Sequence, residues 1–266
     1  MSITIFFPCY NDSKTIGKLV EDAFNTVRKL TTDYEILVIN DGSTDSSAKV
    51  LKKVSKKHRE VKVITHEKNL GYGTALRTGF QEASKDLIFY TDGDGQYDIK
   101  ELPLLLSIMT EDVNFVNGIK MTRGDLPHRI FFGNLHKFIA RWLFWLPVYD
   151  VDCDFRLIRK DIIKKIKLES SSGSICVELV KKAQRVGAKF RQISVHHYER
   201  KHGTSQFFRP RKIITTYIDL AYLWTQLMIY DRLKNLTIER LLNNLLKDNE
   251  RRNKSEQIRV SKYLQK

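Results

Sequence analysis

Short apolar runs alternate with amphipathic segments through the first half of the chain. The apolar runs have the length of buried strands and lie at residues 3–7, 34–39, 61–65 and 87–90. The segments between them carry apolar positions at helical spacing and span residues 13–30, 45–57 and 72–83. Strands that alternate with helices predict an α/β fold, with a mostly parallel sheet flanked by helices on both faces.

The alternation weakens after about residue 113, although residues 115–118 predict one more strand. Further on, apolar side chains recur on one face of a predicted helix, at Leu135, Phe138, Ile139, Trp142, Leu143 and Leu146. We interpret this face as part of the core. The alternative is a face that rests on a membrane surface, because Lys137 and Arg141 flank the aromatic residues.

Residues 213–230 predict an amphipathic helix rather than a membrane span. The more polar residues form one stripe at Thr215, Asp219, Tyr222 and Gln226. Such a helix either lies on a membrane surface or packs on the core or on a second copy in a homo-oligomer. We therefore divide the chain into an α/β domain over residues 1–210 and an amphipathic, then charged, helical extension over residues 211–266.

The charge balance narrows the choice of partners. The 266 residues contain 46 Lys and Arg against 31 Asp and Glu, a formal net charge of +15. Such a charge favours polyanions, namely nucleic acid, anionic lipid headgroups or phosphorylated substrates. The sequence shows no helix-turn-helix, zinc finger or aromatic strand set for stacking bases, so a nucleic-acid-binding protein is the most distant of these interpretations.

Two features predict a cytoplasmic protein. The apolar run at residues 3–7 is too short for a secretory signal. Cys9, Cys153 and Cys176 lie far apart without the spacing of a metal site, which predicts free thiols in a reducing compartment.

Polar residues cluster where the predicted strands end. Residues 8–12 follow the first strand, residues 40–43 the second and residues 92–94 the fourth, and open α/β sheets bind ligands at this edge. Asp92 and Asp94 are separated and followed by glycines, so both carboxylates can face one point. A hard divalent cation that bridges to phosphates suits this pair, and the alternative is a surface turn.

Six segments, taken in order, resemble the motifs of the family 2 glycosyltransferases of the GT-A fold. Within that family they are most similar to the polyprenyl-phosphate sugar synthases, of the dolichol-phosphate mannose synthase type. The segments are PCYND at residues 8–12, NDGSTD at 40–45, NLGYG at 69–73, DGDGQ at 92–96, DVDCDFR at 150–156 and HYERKHGTSQF at 197–207. The resemblance implies a GT-A (Rossmann-like) domain and transfer of a hexose, with inversion, from a UDP- or GDP-sugar to a polyprenyl phosphate.

The resemblance also implies roles on the donor side. The nucleotide-sugar pocket would comprise Pro8, Tyr10, Asp12, Asp41, Gly71, Gly73, Asp92 and Gly93. Asp41 would accept a hydrogen bond from the base, and its alternative is a carboxylate that caps a turn or helix. Asp92 and Asp94, with Gln96, would hold Mg²⁺ or Mn²⁺ against the departing diphosphate.

On the acceptor side, a phosphate would be bound by Lys120, Arg129, His197, Arg200, Lys201 and Ser205. The segment before Arg156 departs from the family pattern, because acids occupy places where small or hydroxyl residues and a glycine are usual. Asp152 and Asp154, with Asp150, either orient basic groups through ion pairs or include a base. The candidate catalytic residues are therefore Asp92, Asp94, Arg200, Asp152 and Asp154.

The acceptor decides between two activities. A polyprenyl phosphate is already an anion and needs positive charge around it, whereas a sugar hydroxyl needs a carboxylate as base. The positive charge favours the lipid phosphate. The acids keep open a transferase that acts on a saccharide or glycolipid hydroxyl in cell-envelope polysaccharide synthesis. With a lipid acceptor, we expect reversible docking on an anionic membrane through residues 213–230 and Arg209, Arg211 and Lys212.

Overall fold

The structure is a computed structural model that describes residues 1–121, 127–200, 202 and 210–230. Its central element is a seven-stranded mixed sheet. The strands in chain order are β1 (Ser2–Cys9), β2 (Asp33–Asn40), β3 (Val61–Thr65), β4 (Leu87–Thr91), β5 (Phe115–Lys120), β6 (Phe155–Arg159) and β7 (Phe190–Val195). Their order across the sheet is β3-β2-β1-β4-β6-β5-β7. Only β6 runs antiparallel to its neighbours, so the predicted mostly parallel α/β sheet is confirmed.

Helices connect the strands. They are α1 (Ile16–Val27), α2 (Ser47–Lys57), α3 (Tyr72–Glu82), α4 (Leu102–Ser107, after a short 3₁₀ turn), α5 (Pro127–Phe144), α6 (Lys160–Lys165), α7 (Ile175–Arg185) and α8 (Pro210–Trp224, continued by a π-helical turn to Tyr230). The strands and helices predicted before residue 120 are confirmed. Strands β6 and β7 and helices α4, α6 and α7 were not predicted.

Alternation along β1 explains why helices cover both faces of the sheet. Ile5 and Phe7 point into a core that includes Val20 of α1. Phe6 points to the opposite face, where its ring meets Phe80 of α3 edge to face with 5.1 Å between the centroids. Because successive strand side chains alternate between faces, an apolar run such as β1 needs cover on both.

The reversed direction of β6 brings distant segments to one edge. Thr91, at the carboxyl end of β4, pairs with Phe155, the first residue of β6. The residues before β6 therefore lie at the same edge as the residues after the parallel strands. The segment that precedes β6 thus shares an edge with the loops that follow β1, β2, β4, β5 and β7.

The core interpretation of the α5 face is wrong. Phe138 and Trp142 are 61% and 67% exposed, and Leu135 and Leu143 are also exposed. Leu146 is the one member of that predicted face that is buried, and Ile139 is half-buried. The core side of α5 is instead formed by Ala140 and Phe144.

The chain divides into two units, Met1–Asp219 and Leu220–Lys266. The described part of the second unit is the end of α8 and its π-helical turn, where Leu220, Leu223 and Leu227 are buried. The helix predicted over residues 213–230 is therefore confirmed, while the boundary at residue 210 stays a prediction. Within the described ranges, no helix combines the length and the apolar character needed to cross a bilayer.

Candidate active site

The loops after β1 and β2 are tied together by one asparagine. Asn11 adopts a left-handed backbone conformation (φ 59°), which asparagine tolerates better than most residues. Its Oδ1 accepts hydrogen bonds from the backbone N–H of Thr44 at 2.8 Å and of Asp45 at 3.2 Å. Two walls of the predicted nucleotide pocket, which carry Tyr10 and Asp12 on one side and Asp41 on the other, are thereby held in fixed register.

Asp41 is buried and fully engaged by its own chain. Its Oδ1 accepts from the Leu70 N–H at 2.9 Å and pairs with His66 Nδ1 at 2.7 Å, and its Oδ2 accepts from the Gly71 N–H at 2.9 Å. The carboxylate therefore orders the loop before α3, which is the turn-forming alternative named from the sequence. The base-reading role of Asp41 stays a prediction.

The two glycines before and within α3 approach another segment of this chain. A Cβ on Gly71 (φ 98°) would lie 2.6 Å from the carbonyl oxygen of Ser171, and one on Gly73 would lie 2.4 Å from that of Ser170. The Gly73 N–H donates to the Ser171 carbonyl at 2.9 Å. The close backbone approach that the sequence indicated is thus made to residues 170–171, and the ligand role of both glycines stays a prediction.

A buried glutamate, which sequence reasoning missed, holds that facing segment. Glu178 of α7 is 1% exposed and accepts from the backbone N–H groups of Glu169 at 2.9 Å and Ser170 at 2.8 Å. Lys182, one turn later, compensates its charge. The loop opposite Gly71 is therefore held in place by Glu178.

The two predicted metal ligands lie at the carboxyl end of β4. Asp92 Oδ1 accepts a hydrogen bond from the hydroxyl of Tyr72 at 2.8 Å. Asp94 Oδ1 accepts from the backbone N–H of Gln96 at 3.0 Å, and its Oδ2 forms an ion pair with Arg200. The structure therefore brings together Asp92, Asp94 and Arg200, which are more than a hundred residues apart at the extremes.

Carboxylates crowd this edge and repel one another. Burial, reinforced by Asp154 and Asp94, raises the pKa of Asp92 well above its usual range. Burial also raises the pKa of Asp12 to about 6, with a contribution from Asp94. A bound cation would relieve this repulsion, and carboxylate oxygens are the ligands that Mg²⁺ and Mn²⁺ prefer.

The donor set fits a cation that binds together with phosphates. Among the residues that the structure describes, no three His, Cys, Asp or Glu side chains are arranged to hold a metal ion by themselves. Mg²⁺ is often bound by one or two carboxylates plus substrate phosphates, so the Asp92 and Asp94 pair is sufficient on the protein side. Gln96, the third predicted ligand, donates from Nε2 to the Tyr198 carbonyl at 2.9 Å.

The metal loop also packs tightly on β1. A Cβ on Gly93 would lie 2.5 Å from the carbonyl oxygen of Pro8. The Thr15 hydroxyl donates to the Gly93 carbonyl at 3.0 Å. Pro8 and Gly93, both predicted to line the donor pocket, therefore contact each other directly.

The basic segment after β7 is attached to the metal loop. Tyr97 and His197 form an isolated antiparallel bridge, and the Tyr198 N–H donates to the Gln96 carbonyl at 2.8 Å. His197 is buried, with its ring 5.0 Å from that of Tyr97. This attachment brings Arg200 into contact with Asp94. Three further predicted acceptor residues have side chains outside the described part of the structure, namely Arg129, Lys201 and Ser205.

Lys120 places a cation at the same edge. Its Nζ donates to the Asp152 carbonyl at 2.7 Å. Burial acts to lower its pKa, but Asp150, Cys153, Asp152 and Asp154 raise it above the usual value. Lys120 therefore stays charged at physiological pH.

The acids before β6 contact basic side chains. Asp150 is buried and lies 3.4 Å from Lys137 Nζ, and Asp152 lies 3.5 Å from His136 Nε2. The side chain of Asp152 is 30% exposed, whereas that of Asp150 is 1% exposed. Asp152 is therefore the more accessible of these two carboxylates.

Asp154 belongs to a buried network. It accepts from the Tyr90 hydroxyl at 3.1 Å, contacts Cys176 Sγ at 3.2 Å and lies 3.6 Å from the Arg156 guanidinium. Arg156 is fully buried and also donates to Asn117 Oδ1 at 2.8 Å and to the Tyr90 hydroxyl at 2.7 Å. These contacts favour the ion-pair interpretation of Asp154 over that of a base.

The sequence profile of glycosyl transferase family 2 matches residues 4–167, which is more than half of this chain. The chain belongs to this family. Among curated relatives, the undecaprenyl-phosphate 4-deoxy-4-formamido-L-arabinose transferase of Yersinia enterocolitica is 27% identical over 219 residues, which is 82% of this chain and 66% of the relative. Its counterpart from Yersinia pestis is 26% identical over 216 residues, covering 81% and 65%. The chain thus spans slightly less than two thirds of these relatives' length.

Solved structures share the fold. Glucosyl-3-phosphoglycerate synthase from Mycobacterium tuberculosis, in complex with Mn²⁺, UDP and glucosyl-3-phosphoglycerate, superposes with a TM-score of 0.60 at 16% identity, covering 82% of this chain and 79% of that one. A mannosyltransferase from Pyrobaculum calidifontis, in complex with GDP-mannose and Mn²⁺, gives a TM-score of 0.57 at 16% identity, covering 76% and 58%. The predicted GT-A fold is confirmed.

Proposed function

We propose that this protein transfers a hexose from a UDP- or GDP-sugar to a polyprenyl phosphate, with inversion at the anomeric carbon. The observation that carries the proposal is the juxtaposition of Asp92 and Asp94 with Arg200 at one edge of the sheet. Membership of glycosyl transferase family 2 supports the reaction class. The names of the Yersinia relatives, which specify undecaprenyl phosphate, support the acceptor.

On the donor side, Pro8, Tyr10, Asp12 and Asp41 would bind the nucleoside. Asp92 and Asp94, with Gln96, would hold Mg²⁺ or Mn²⁺. The cation would supply positive charge to the diphosphate of the donor as it leaves. Structures of the same fold that contain UDP with Mn²⁺ or Mg²⁺ are consistent with this assignment.

On the acceptor side, basic groups would bind the lipid phosphate. Arg200 offers a planar fork that matches two phosphate oxygens, and Lys120 adds a second positive charge. His197, Lys201, Ser205 and Arg129 complete the proposed phosphate-binding set. The phosphate of the acceptor would displace Asp94 from Arg200, because the phosphate and the carboxylate compete for the same guanidinium.

The reaction needs no base with this acceptor. An oxygen of the polyprenyl phosphate attacks the anomeric carbon, the bond from that carbon to the diphosphate oxygen breaks, and its electron pair leaves with the nucleoside diphosphate. A single displacement of this kind inverts the anomeric configuration. The contacts of Asp154 with Tyr90 and Arg156 suit a positioning role in such a mechanism.

One observation favours a second candidate function. The partly exposed carboxylate of Asp152 is the acid at this edge that could take a proton from a sugar hydroxyl. A transferase that acts on a saccharide or glycolipid would need such a base. The proton of the sugar hydroxyl would pass to Asp152 as the hydroxyl oxygen bonds to the anomeric carbon.

A lipid acceptor requires access to a membrane. The proposed docking surfaces are the helix predicted over residues 213–230 and the exposed face of α5, with Trp145 directly after it. Phe138, Trp142 and Trp145 are 61%, 67% and 73% exposed. Arg141, whose guanidinium lies 5.4 Å from the Tyr149 ring centroid, would face the headgroups. Aromatic residues with flanking cations suit the bilayer interface, which supports a peripheral association with the membrane.

The decisive experiment offers the purified protein a choice of donors and acceptors. A thermal-shift screen of UDP, GDP and their sugars with Mn²⁺ identifies the nucleotide, because a ligand at a hundredfold excess over its Kd stabilises by about 2.7 kcal/mol. Transfer is then assayed to a short polyprenyl phosphate and to simple saccharides. Product on the lipid alone supports the proposal, product on saccharides alone supports the second candidate, and no nucleotide binding rejects both.

Docking is tested by flotation with vesicles that contain anionic lipid, at low and high salt. We expect flotation at low salt and weaker flotation at high salt, since basic residues near an anionic surface each contribute about 1 kcal/mol. Protein that stays in the soluble fraction under both conditions would reject the docking surfaces without affecting the donor site.

A further inference from the structure

Tyr72 is the one side chain within the described residues that donates a hydrogen bond to a carboxylate oxygen of Asp92. The 2.8 Å contact engages Oδ1. The other oxygen, Oδ2, accepts no hydrogen bond from the part of the chain that the structure describes. A hydroxyl that fixes one oxygen of a carboxylate leaves the second oxygen aimed in a defined direction.

Tyr72 is itself held by the donor-side loop. It is the first residue of α3 and directly follows Gly71, whose N–H donates to the buried carboxylate of Asp41. Its other neighbour, Gly73, donates to the Ser171 carbonyl at 2.9 Å. Both neighbours of Tyr72 are therefore anchored by backbone hydrogen bonds to separate segments.

A third anchor acts along the helix. The ring of His66 connects Asp41, at 2.7 Å from Nδ1, to the Thr78 hydroxyl of α3, at 3.0 Å from Nε2. The first two turns of α3 are thus fixed to the same carboxylate that orders the loop before them. The position of the Tyr72 hydroxyl is set by these contacts rather than by the metal loop.

We infer that Tyr72 is a positioning residue that orients Asp92 for the divalent cation and links the Asp41-anchored donor loop to the metal site. This inference rests on the proposed function, because it assigns Asp92 to the cation. Side chains that hydrogen-bond to a metal ligand typically affect metal affinity or activity by about 10- to 100-fold. Tyr72 was not singled out by its sequence position, since its partner lies twenty residues away, directly after β4.

The test removes a single oxygen atom. Tyr72→Phe keeps the ring and deletes the donor, and Tyr34→Phe, at the start of β2 on the opposite edge, is the matched control. Mn²⁺ binding is measured by calorimetry with Mn²⁺ alone, with Mn²⁺ and UDP, and with Mn²⁺ and GDP. We expect Tyr72→Phe to weaken Mn²⁺ binding about tenfold and to raise the Mn²⁺ concentration that half-saturates turnover by a similar factor. Tyr34→Phe should match the wild type.

A double-mutant cycle separates positioning from a structural role. In the Asp92→Ala background, Tyr72→Phe should have no further effect on Mn²⁺ binding, because its partner oxygen is gone. A Tyr72→Phe protein that binds Mn²⁺ as the wild type does, or that loses the same factor in the Asp92→Ala background, overturns the inference. A fall of more than about 5 °C in melting temperature together with weaker binding also overturns it, in favour of a structural role.

The wild-type measurement distinguishes the two levels of failure. If the wild-type protein binds no Mn²⁺ with either nucleotide, the proposed metal site fails, and the role of Tyr72 fails with it. If the wild type binds Mn²⁺ and Tyr72→Phe is indistinguishable from it, the metal site stands and only the positioning role is rejected.

Discussion

The two halves of the sheet differ in the environment of the side chains near them. At the donor edge, formed by the loops after β1, β2 and β4, the Asp41 carboxylate and the Asn11 amide are satisfied by backbone N–H groups of neighbouring loops. Near β5 to β7, by contrast, Phe138 and Trp142 expose most of their surface. A preorganised edge suits a small, charged ligand, whereas exposed aromatic surface suits contact with another phase or molecule.

The proposed metal ligands Asp92 and Asp94 belong to the proposed donor edge, and changing them should have the largest effect on activity. Asp92→Asn or Asp94→Asn should reduce turnover on the order of a thousandfold, which corresponds to several kcal/mol in the barrier, because the leaving diphosphate loses its cation. The measurement is sugar transfer with saturating Mn²⁺, alongside circular dichroism to verify the fold.

Asp161→Asn is the matched control, since Asp161 is an exposed carboxylate on α6, after the far end of β6. It should transfer sugar at the wild-type rate. An Asp92→Asn/Asp94→Asn double variant with full activity would remove both residues from the metal site.

Arg156 joins the two halves, because it lies on β6 between β4 and β5 and donates to Tyr90 and Asn117. Arg156→Met leaves Asp154 buried without its cation and should lower the free energy of unfolding by about 3–5 kcal/mol. For a chain of this size that corresponds to roughly 10 °C in Tm, measured by thermal denaturation. Arg191→Met, which alters an exposed arginine on β7, should leave Tm nearly unchanged, and equal shifts in both variants would contradict the network's importance.

Exposed aromatic residues on α5 should affect membrane binding rather than the proposed donor edge. Trp142→Ala should weaken partition to anionic vesicles by about tenfold, since about 1.4 kcal/mol of interfacial burial is lost. Nucleotide binding should not change. Leu104→Ala, at an exposed apolar residue on α4, serves as the control and should float as the wild type does. A loss of nucleotide binding in Trp142→Ala would contradict the separation of the two halves.

The thiols should show the smallest effect, namely almost no reaction in the folded protein. Burial raises the pKa of Cys9 and of Cys153 to about 12, and it raises the pKa of Cys176 well above the usual range. Because the thiolate is the nucleophile, a raised pKa keeps the thiols protonated and unreactive at pH 8. Alkylation followed by mass spectrometry should find all three unmodified when folded and all three modified in guanidinium. Rapid labelling of a folded-state thiol would show that its site opens.

The same contrast explains what the sequence could predict. Strands β1 to β4 are short, predominantly apolar runs that pair with their neighbours in the parallel part of the sheet, so the pattern of apolar residues locates them. Strand β6 is only Phe155–Arg159, with arginines at both its second and last positions. Arg156 can be buried because its partners come from β4 and β5, and such compensation leaves no periodic signal.

The candidate site was predictable to a similar extent. The nearness of Asp92, Asp94 and Arg200 followed from ordered motifs and the shared edge of the strands, and the structure brings them together. The contact of Gly71 with residues 170–171 did not follow, because no motif or predicted strand end marks residues 170–171. The roles of all these residues remain predictions for the experiments above.

The chain between β5 and β6 leaves the sheet and returns to it beside its point of departure, since Asn117 pairs with Arg156. Because strand pairing fixes both ends of this excursion, its exposed side chains can change without displacing the strands. The buried side chains of Ala140 and Phe144 hold α5 on the core, so they have to be retained. The exposed face of α5 can therefore be altered to suit a different membrane or acceptor while the loops after β1, β2 and β4 stay unchanged.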